Sequence, residues 1–180
     1  MERSDAAFLS LILAGALLLG LLTFRRCSAP PKPLGPAPEE GIALLLQAPA
    51  PALGSLRELR GRAVVLDFWA TWCAPCRDTI PYMNKMRAKF QGRPVVFISV
   101  TREPLEKIEP FLKEHPITGW IGIDEAGGLQ RALKVTGIPQ VFVIDPAGQV
   151  RLKISPSFLY DSDIERALKA APEPRPAAAR

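Results

Sequence analysis

Cys73 and Cys76, separated by two residues, are the side chains in this 180-residue chain best placed to do chemistry. An apolar run through Val64, Val65 and Leu66 leads into Phe68 and Trp69 and reads as a buried strand; the cysteines then open a helix. A Cys-x-x-Cys at a strand-to-helix junction is the redox form of the motif rather than a structural bridge. The helix N-terminus offers unpaired N–H groups and partial positive charge, and both stabilise a thiolate at Cys73. The thiolate is the attacking species. Cys76, one turn further in, is placed to displace a mixed disulfide formed at Cys73. Ala74 and Pro75 between them add no charge.

Asp67 interrupts the apolar strand. Burying an ionised carboxylate among valines, leucine and aromatic rings is costly, so its pKa is expected above the usual range. The competing assignment is a strand-end aspartate facing solvent. No metal is expected: a closed zinc site needs about four ligands, and beyond the pair only Cys27 and the single histidine, His115, remain. His115 precedes a proline at a helix end and reads as a surface cap. No cofactor is expected beyond the dithiol itself.

These residues need a rigid frame, and the pattern supplies one. The reading is an edge strand over residues 42–47, a short turn or helix over 55–59 and a central strand over 63–69. The helix carrying the cysteines runs to about Phe90, with Tyr82, Met83, Met86 and Phe90 at core spacing. A strand over 94–100, a helix from Pro104 to about Glu114, a strand over 120–123 and a helix over 129–133 follow. Residues 140–144 and 150–154 form a hairpin. Ser162 and Glu165 read as a capping box opening a last helix that ends near Ala171.

Eight of the 19 prolines fall in two clusters, five over residues 30–38 and three over 172–176, and the net charge of +5 is mostly terminal. Between Glu39 and Pro172, 17 basic side chains meet 15 acidic ones, and no basic run is interleaved with aromatics, so no nucleic-acid partner is expected. Residues 6–24 carry no charge and at 1.5 Å per residue approach the ~30 Å of a bilayer core. The expected organisation is a membrane anchor over residues 1–27, a proline-rich linker over 28–40, one folded domain over 41–171 and a disordered tail over 172–180. The anchor is read as uncleaved: no small-x-small site follows it, and Phe24, Arg25 and Arg26 precede Cys27 where a lipoprotein would have small residues. Cys27 is read as a free cysteine.

The string DFWATWCAPC at residues 67–76 resembles the active-site signature of the thioredoxin superfamily. Pro81 matches the proline within the active-site helix, and Gly137-Ile138-Pro139 matches the loop that carries a cis-proline. SLRELRGR at 55–62 and VIDPAG at 143–148 resemble more narrowly the membrane-anchored TlpA/ResA-like branch. The resemblance implies a thioredoxin-like α/β sandwich, a central mixed sheet with helices on both faces, behind one N-terminal transmembrane helix. It implies a thiol–disulfide oxidoreductase acting as a reductant on protein thiols and disulfides of exported proteins, apocytochrome c among the candidates. Asp67 would relay protons to Cys76. Pro139 would be cis, and Trp72, Ile138 and Pro139 would bind an extended substrate segment.

The implied location is the bacterial cytoplasmic membrane, single-pass, with the domain in the periplasm and a reductase-type membrane electron donor. Arg25 and Arg26, which follow the span, argue for the opposite orientation; the resemblance is followed here. Two departures stand out. Thr79 occupies the position where some ResA-like proteins have an acid, and residues 95–100 lack the lysine that thioredoxins place near the buried acid, so Asp67 is expected to be less coupled. A copper-delivery or assembly module of a cytochrome complex is the alternative, but copper chaperones of this superfamily need a three-residue gap and a histidine. A peroxiredoxin needs threonine three residues before its nucleophile, whereas Thr71 lies two before Cys73.

Overall fold

The computed structural model describes residues 32–170. The chain divides into two units, Met1–Pro30 and Pro31–Arg180, and the described residues all belong to the second. The expected anchor, Cys27 and the tail over 172–180 lie outside the described residues. Among the described residues no helix is long and apolar enough to cross a membrane.

Among the described residues, seven strands and four α-helices follow in the order β1 (Gly35–Pro36), β2 (Leu44–Leu46), β3 (Ala63–Phe68), α1 (Ala74–Lys89), β4 (Val95–Thr101), α2 (Leu105–Glu114), β5 (Trp120–Ile123), α3 (Gly128–Ala132), β6 (Gln140–Ile144), β7 (Gln149–Ile154) and α4 (Asp161–Leu168). Short 3-10 turns occupy Leu56–Leu59 and Pro156–Phe158. The strands form one mixed sheet in the order β1-β7-β6-β3-β4-β5-β2. β3, β4 and β5 are parallel, and the outer pairings are antiparallel. β3 is buried at every position because both faces of the sheet are covered, which is why its sequence shows no polar alternation.

The period of two along a strand decides which side chains share a face. Val64, Leu66 and Phe68 point to one side, into a core with Ile98, Leu56, Leu59, Leu129 and Phe142. Val65 points to the other side, against Met83 and Met86 of α1, Phe90 at its C-terminal cap, and Ile164 and Ala167 of α4. Asp67 and Trp69 follow Val65 in phase and therefore face α1. Gly122 on β5 leaves room for the side chains that cover it: a Cβ there would lie 3.0 Å from Ile42 and 3.3 Å from Ile98.

Two expectations are corrected. The linker does not run to residue 40. Gly35 and Pro36 pair with Val150 and Gln149, and the N–H groups of Leu34 and Ala37 donate to the carbonyls of Val150 and Gly148 at 2.8 Å each. Pro36 lacks an N–H, and an edge strand tolerates that. The last helix starts at Asp161, before Ser162, and its first turn is closed by Asp163, whose carboxylate accepts the N–H of Tyr160 at 2.8 Å. Glu165 pairs instead with Arg93.

The β6–β7 hairpin forms as expected, and its turn uses Gly148 at φ 80, which closes by donating to Asp145 O at 2.9 Å. Buried Asp145 also takes the guanidinium of Arg151 at 2.6 Å, tying the turn to β7.

Candidate active site

Cys73 caps the N-terminus of α1, with Ala74 and Pro75 in its first turn. Proline fits there because its missing N–H would have no helical partner. Cys73 and Cys76 are joined by a disulfide and are 4% and 2% exposed. The N–H of Cys76 points at Cys73 Sγ across 3.3 Å, so a helix-terminal donor is already aimed at the sulfur expected to carry charge. Thr79 turns its hydroxyl back to the Cys76 carbonyl at 2.8 Å, and neighbouring Asp78 is exposed.

Asp67 is buried, at 8% exposure, under α1. Its neighbours in register are Ser99 on β4 and Val141 on β6. Burial pushes its pKa up to about 6, against the pull of Arg87. The expectation that Asp67 stands less coupled for want of a lysine is corrected here. The cation comes from α1: Arg87 is 7% exposed and brings Nη2 to 3.8 Å from Asp67 Oδ2. The same Nη2 donates to Ser99 Oγ at 2.5 Å, and Nη1 donates to Asn84 Oδ1 at 2.9 Å. Arg87 lies eleven residues after Cys76, three helical turns, and so shares its buried stripe with Ile80 and Met83.

The Ile138–Pro139 peptide is cis. Ile138 packs against the cluster that holds Cys73 and Cys76 together with Trp69, Ile80 and Ile108. Trp72 is 71% exposed. It faces solvent as a rim rather than filling the core, and it lines a cleft of about 410 Å³ together with Trp69, Arg102, Glu103, Gln130 and Ile138.

Glu103, like Arg87, carries no signal in the sequence. It accepts both the N–H and the hydroxyl of Thr71, and so grips the turn leading into Cys73. It is 32 residues away in sequence and no local pattern marks it. The Thr71 hydroxyl is thereby directed to Glu103. His115 ends α2 and stacks on Phe111, with ring centroids 4.6 Å apart. Among the described residues no three His, Cys, Asp or Glu side chains gather as a metal cluster would.

A parallel β3-β4-β5 core, a cysteine pair at a helix N-terminus and a cis-proline loop packed against it make a thioredoxin-like site, and comparison with known proteins agrees. The AhpC/TSA family model matches residues 50–153, more than half the chain. The chain belongs to the AhpC/TSA family. Within it, this AhpC/TSA member is similar to the thiol-disulfide oxidoreductase ResA of Geobacillus kaustophilus, at 34% identity over 116 residues, 64% of this chain and 66% of that one. It is also similar to ResA of Bacillus thuringiensis subsp. konkukian, at 31% over 96 residues, 53% of this chain and 56% of that one. The match thus spans just under two thirds, or a little over half, of the length of these curated relatives. Among solved structures, a thiol:disulfide interchange protein DsbE from Chlorobium tepidum superposes with a TM-score of 0.61 at 29% identity, covering 69% of this chain and 86% of that chain. The resemblance to the TlpA/ResA-like branch of the thioredoxin superfamily is borne out.

Proposed function

We propose that this protein exchanges disulfides with other proteins, and that it works as a reductant. One observation carries the reading: Cys73 and Cys76 lie at the N-terminus of α1, in the cluster against which Ile138 of the cis-proline loop packs. In the reduced protein, the Cys73 thiolate attacks a substrate disulfide. One S–S bond breaks, a mixed disulfide forms, and the first substrate sulfur leaves as a thiol. Asp67 then accepts the proton of Cys76, whose sulfur attacks Cys73 Sγ. The Cys73–Cys76 disulfide forms and the second substrate thiol is released, so two electrons have passed to the substrate. A reductase-type donor in the membrane restores the dithiol.

Trp72, Ile138 and Pro139 bind the substrate: the exposed Trp72 ring covers its apolar side, and the Ile138 backbone pairs with an extended segment by strand addition. The Ala74-Pro75 spacer leaves the tuning of Cys73 to the helix terminus. The anchor over residues 6–24 holds the domain on the outer face of the cytoplasmic membrane, where exported cysteine proteins such as apocytochrome c are the substrates. The uncharged length of that segment and the TlpA/ResA-like motifs support this reading.

The test is insulin reduction driven by dithiothreitol. The protein should turn over, and Cys73→Ser should abolish turnover. Equal rates for the two proteins overturn the proposal.

A further inference from the structure

Arg87 is a buried cation on the active-site helix that takes no direct part in the proposed exchange of thiols. Placing a guanidinium at 7% exposure is unfavourable, and a well-packed apolar side chain is often the more stable choice at such a position. The surrounding residues are nevertheless built around it. Ser99 and Asn84 each take one end of its fork. Phe97 lies beneath it, with the ring centroid 5.8 Å from Cζ. Position 119 is glycine, and a Cβ there would meet Arg87 Nε at 2.7 Å and Cδ at 2.9 Å. Helical side chains lean toward the helix N-terminus, so Arg87, rooted three turns below Cys76, reaches back toward the cysteine end. Asp67 lies at the end of that reach.

We infer that Arg87 is a positioning residue for the resolving step: it holds the Asp67 carboxylate oriented and ionised so that the carboxylate can take the Cys76 proton. The inference rests on the proposed exchange reaction. Each element around the carboxylate contributes to its setting. β4 brings the neutral hydroxyl of Ser99, and β6 brings Val141. From α1 come Arg87 and, on the same stripe, Cys76, which titrates only when reduced. Arg87 is the charged group that opposes the effect of burial on Asp67. Its tie to Ser99 places the guanidinium over the neighbouring strand position, so the carboxylate has a fixed counter-charge on one side.

The experiment uses the full chain, reduced and then mixed with Ellman's reagent. Cys73 attacks first and releases one thionitrobenzoate; Cys76 resolves the mixed disulfide and releases the second. The rate of the second release is followed against pH. Arg87→Met should raise the midpoint of that profile by about one to three pH units, the size of an opposite charge removed from contact distance. Arg87→Lys keeps the charge but loses the fork to Ser99 and Asn84, and should raise it less. An unmoved midpoint in folded Arg87→Met overturns the inference. If Arg87→Met does not fold, an unmoved midpoint in Arg87→Lys overturns it. Asp67→Asn separates the two claims. If it keeps the wild-type midpoint, Asp67 is not the proton acceptor and that part of the proposed reaction fails. If it abolishes the midpoint while Arg87→Met leaves it in place, only the role of Arg87 fails.

Discussion

Glu103 takes the backbone N–H of Thr71 at 2.6 Å and its hydroxyl at 2.8 Å, so a carboxylate between β4 and α2 clamps the residue two positions before Cys73. Hydrogen bonds to a charged group contribute roughly 1.5–3 kcal/mol each, less where water reaches them. Glu103 is half-buried. Glu103→Ala should therefore lower the unfolding free energy of the oxidised protein by about 2 kcal/mol, and Glu103→Gln, which keeps one acceptor, by less. Urea unfolding measures both, and an unchanged midpoint for the alanine variant would show that the turn holds itself.

Stability should depend on pH through Asp67. The unfolded chain binds this proton with an ordinary pKa near 3.8, the folded chain with one of about 6. Between those values the native state holds more protons, so its stability falls as pH rises. The contribution is fully present below about pH 4 and is lost above about 6, with an upper bound of roughly 3 kcal/mol. Urea unfolding of wild type and Asp67→Asn from pH 4 to 7 reads it as a shrinking advantage for wild type. Leaving Arg87 without its partner adds an offset, so the slope is the quantity to compare. Parallel curves would place the titration elsewhere.

Kinetically, Asp67→Asn should slow resolution of the mixed disulfide by about 100-fold or more, the lower range for a positioned general base. Attack by Cys73 should change only a few-fold. Stopped-flow mixing resolves the two phases, and if neither phase changes, Asp67 is a structural residue.

The dithiol should be reducing. No charge or histidine stands between the cysteines, and the nearby Arg77 turns Nη1 to the Thr71 carbonyl at 3.3 Å on the exposed side. Stabilisation of the Cys73 thiolate is left to the helix terminus, so its pKa should lie nearer ~7 than ~3.5 and the potential nearer ~−270 mV than ~−120 mV. A dithiothreitol redox titration followed by Trp72 fluorescence gives the midpoint. A value above about −180 mV would make the protein a disulfide donor.

For the proposed placement outside the cytoplasmic membrane, a C-terminal alkaline phosphatase fusion should be active in cells. An inactive fusion, with a fluorescent cytoplasmic reporter active at the same position, would reverse the orientation and give the positive-inside bias of Arg25 and Arg26 the last word.

The elements that carry chemistry were legible because their signals are local. The apolar run of β3, the cysteine spacing and the hairpin turn each lie within a few residues, and the structure places all three as expected. The cis peptide before Pro139 was legible only through resemblance, since the composition of that loop does not dictate it. Arg87 and Glu103 were not legible, for different reasons. An arginine in a helix reads as solvated unless its stripe is traced back to Cys76, and even then its partner Asp67 lies on another element. Glu103 acts on Thr71 across the top of the sheet, a contact that only the parallel pairing of β3 and β4 creates. β1 was hidden by its own composition: two prolines and a glycine within 33–36 read as spacer, and the pairing with β7 is made by backbone groups that carry no side-chain signature.

That clip of β1 onto β7 has a mechanical side. Val150 lies beside Ile144, which pairs with Val64 near the start of β3, whereas the cysteines follow the end of β3. The chain therefore enters the domain at the end of the sheet remote from the cysteine pair. A pull along the polypeptide ahead of Leu34 would first meet the bonds from Leu34 and Ala37 to β7. If the proposed anchor holds the chain, such a pull should load the sheet edge before α1, which carries the reactive sulfurs.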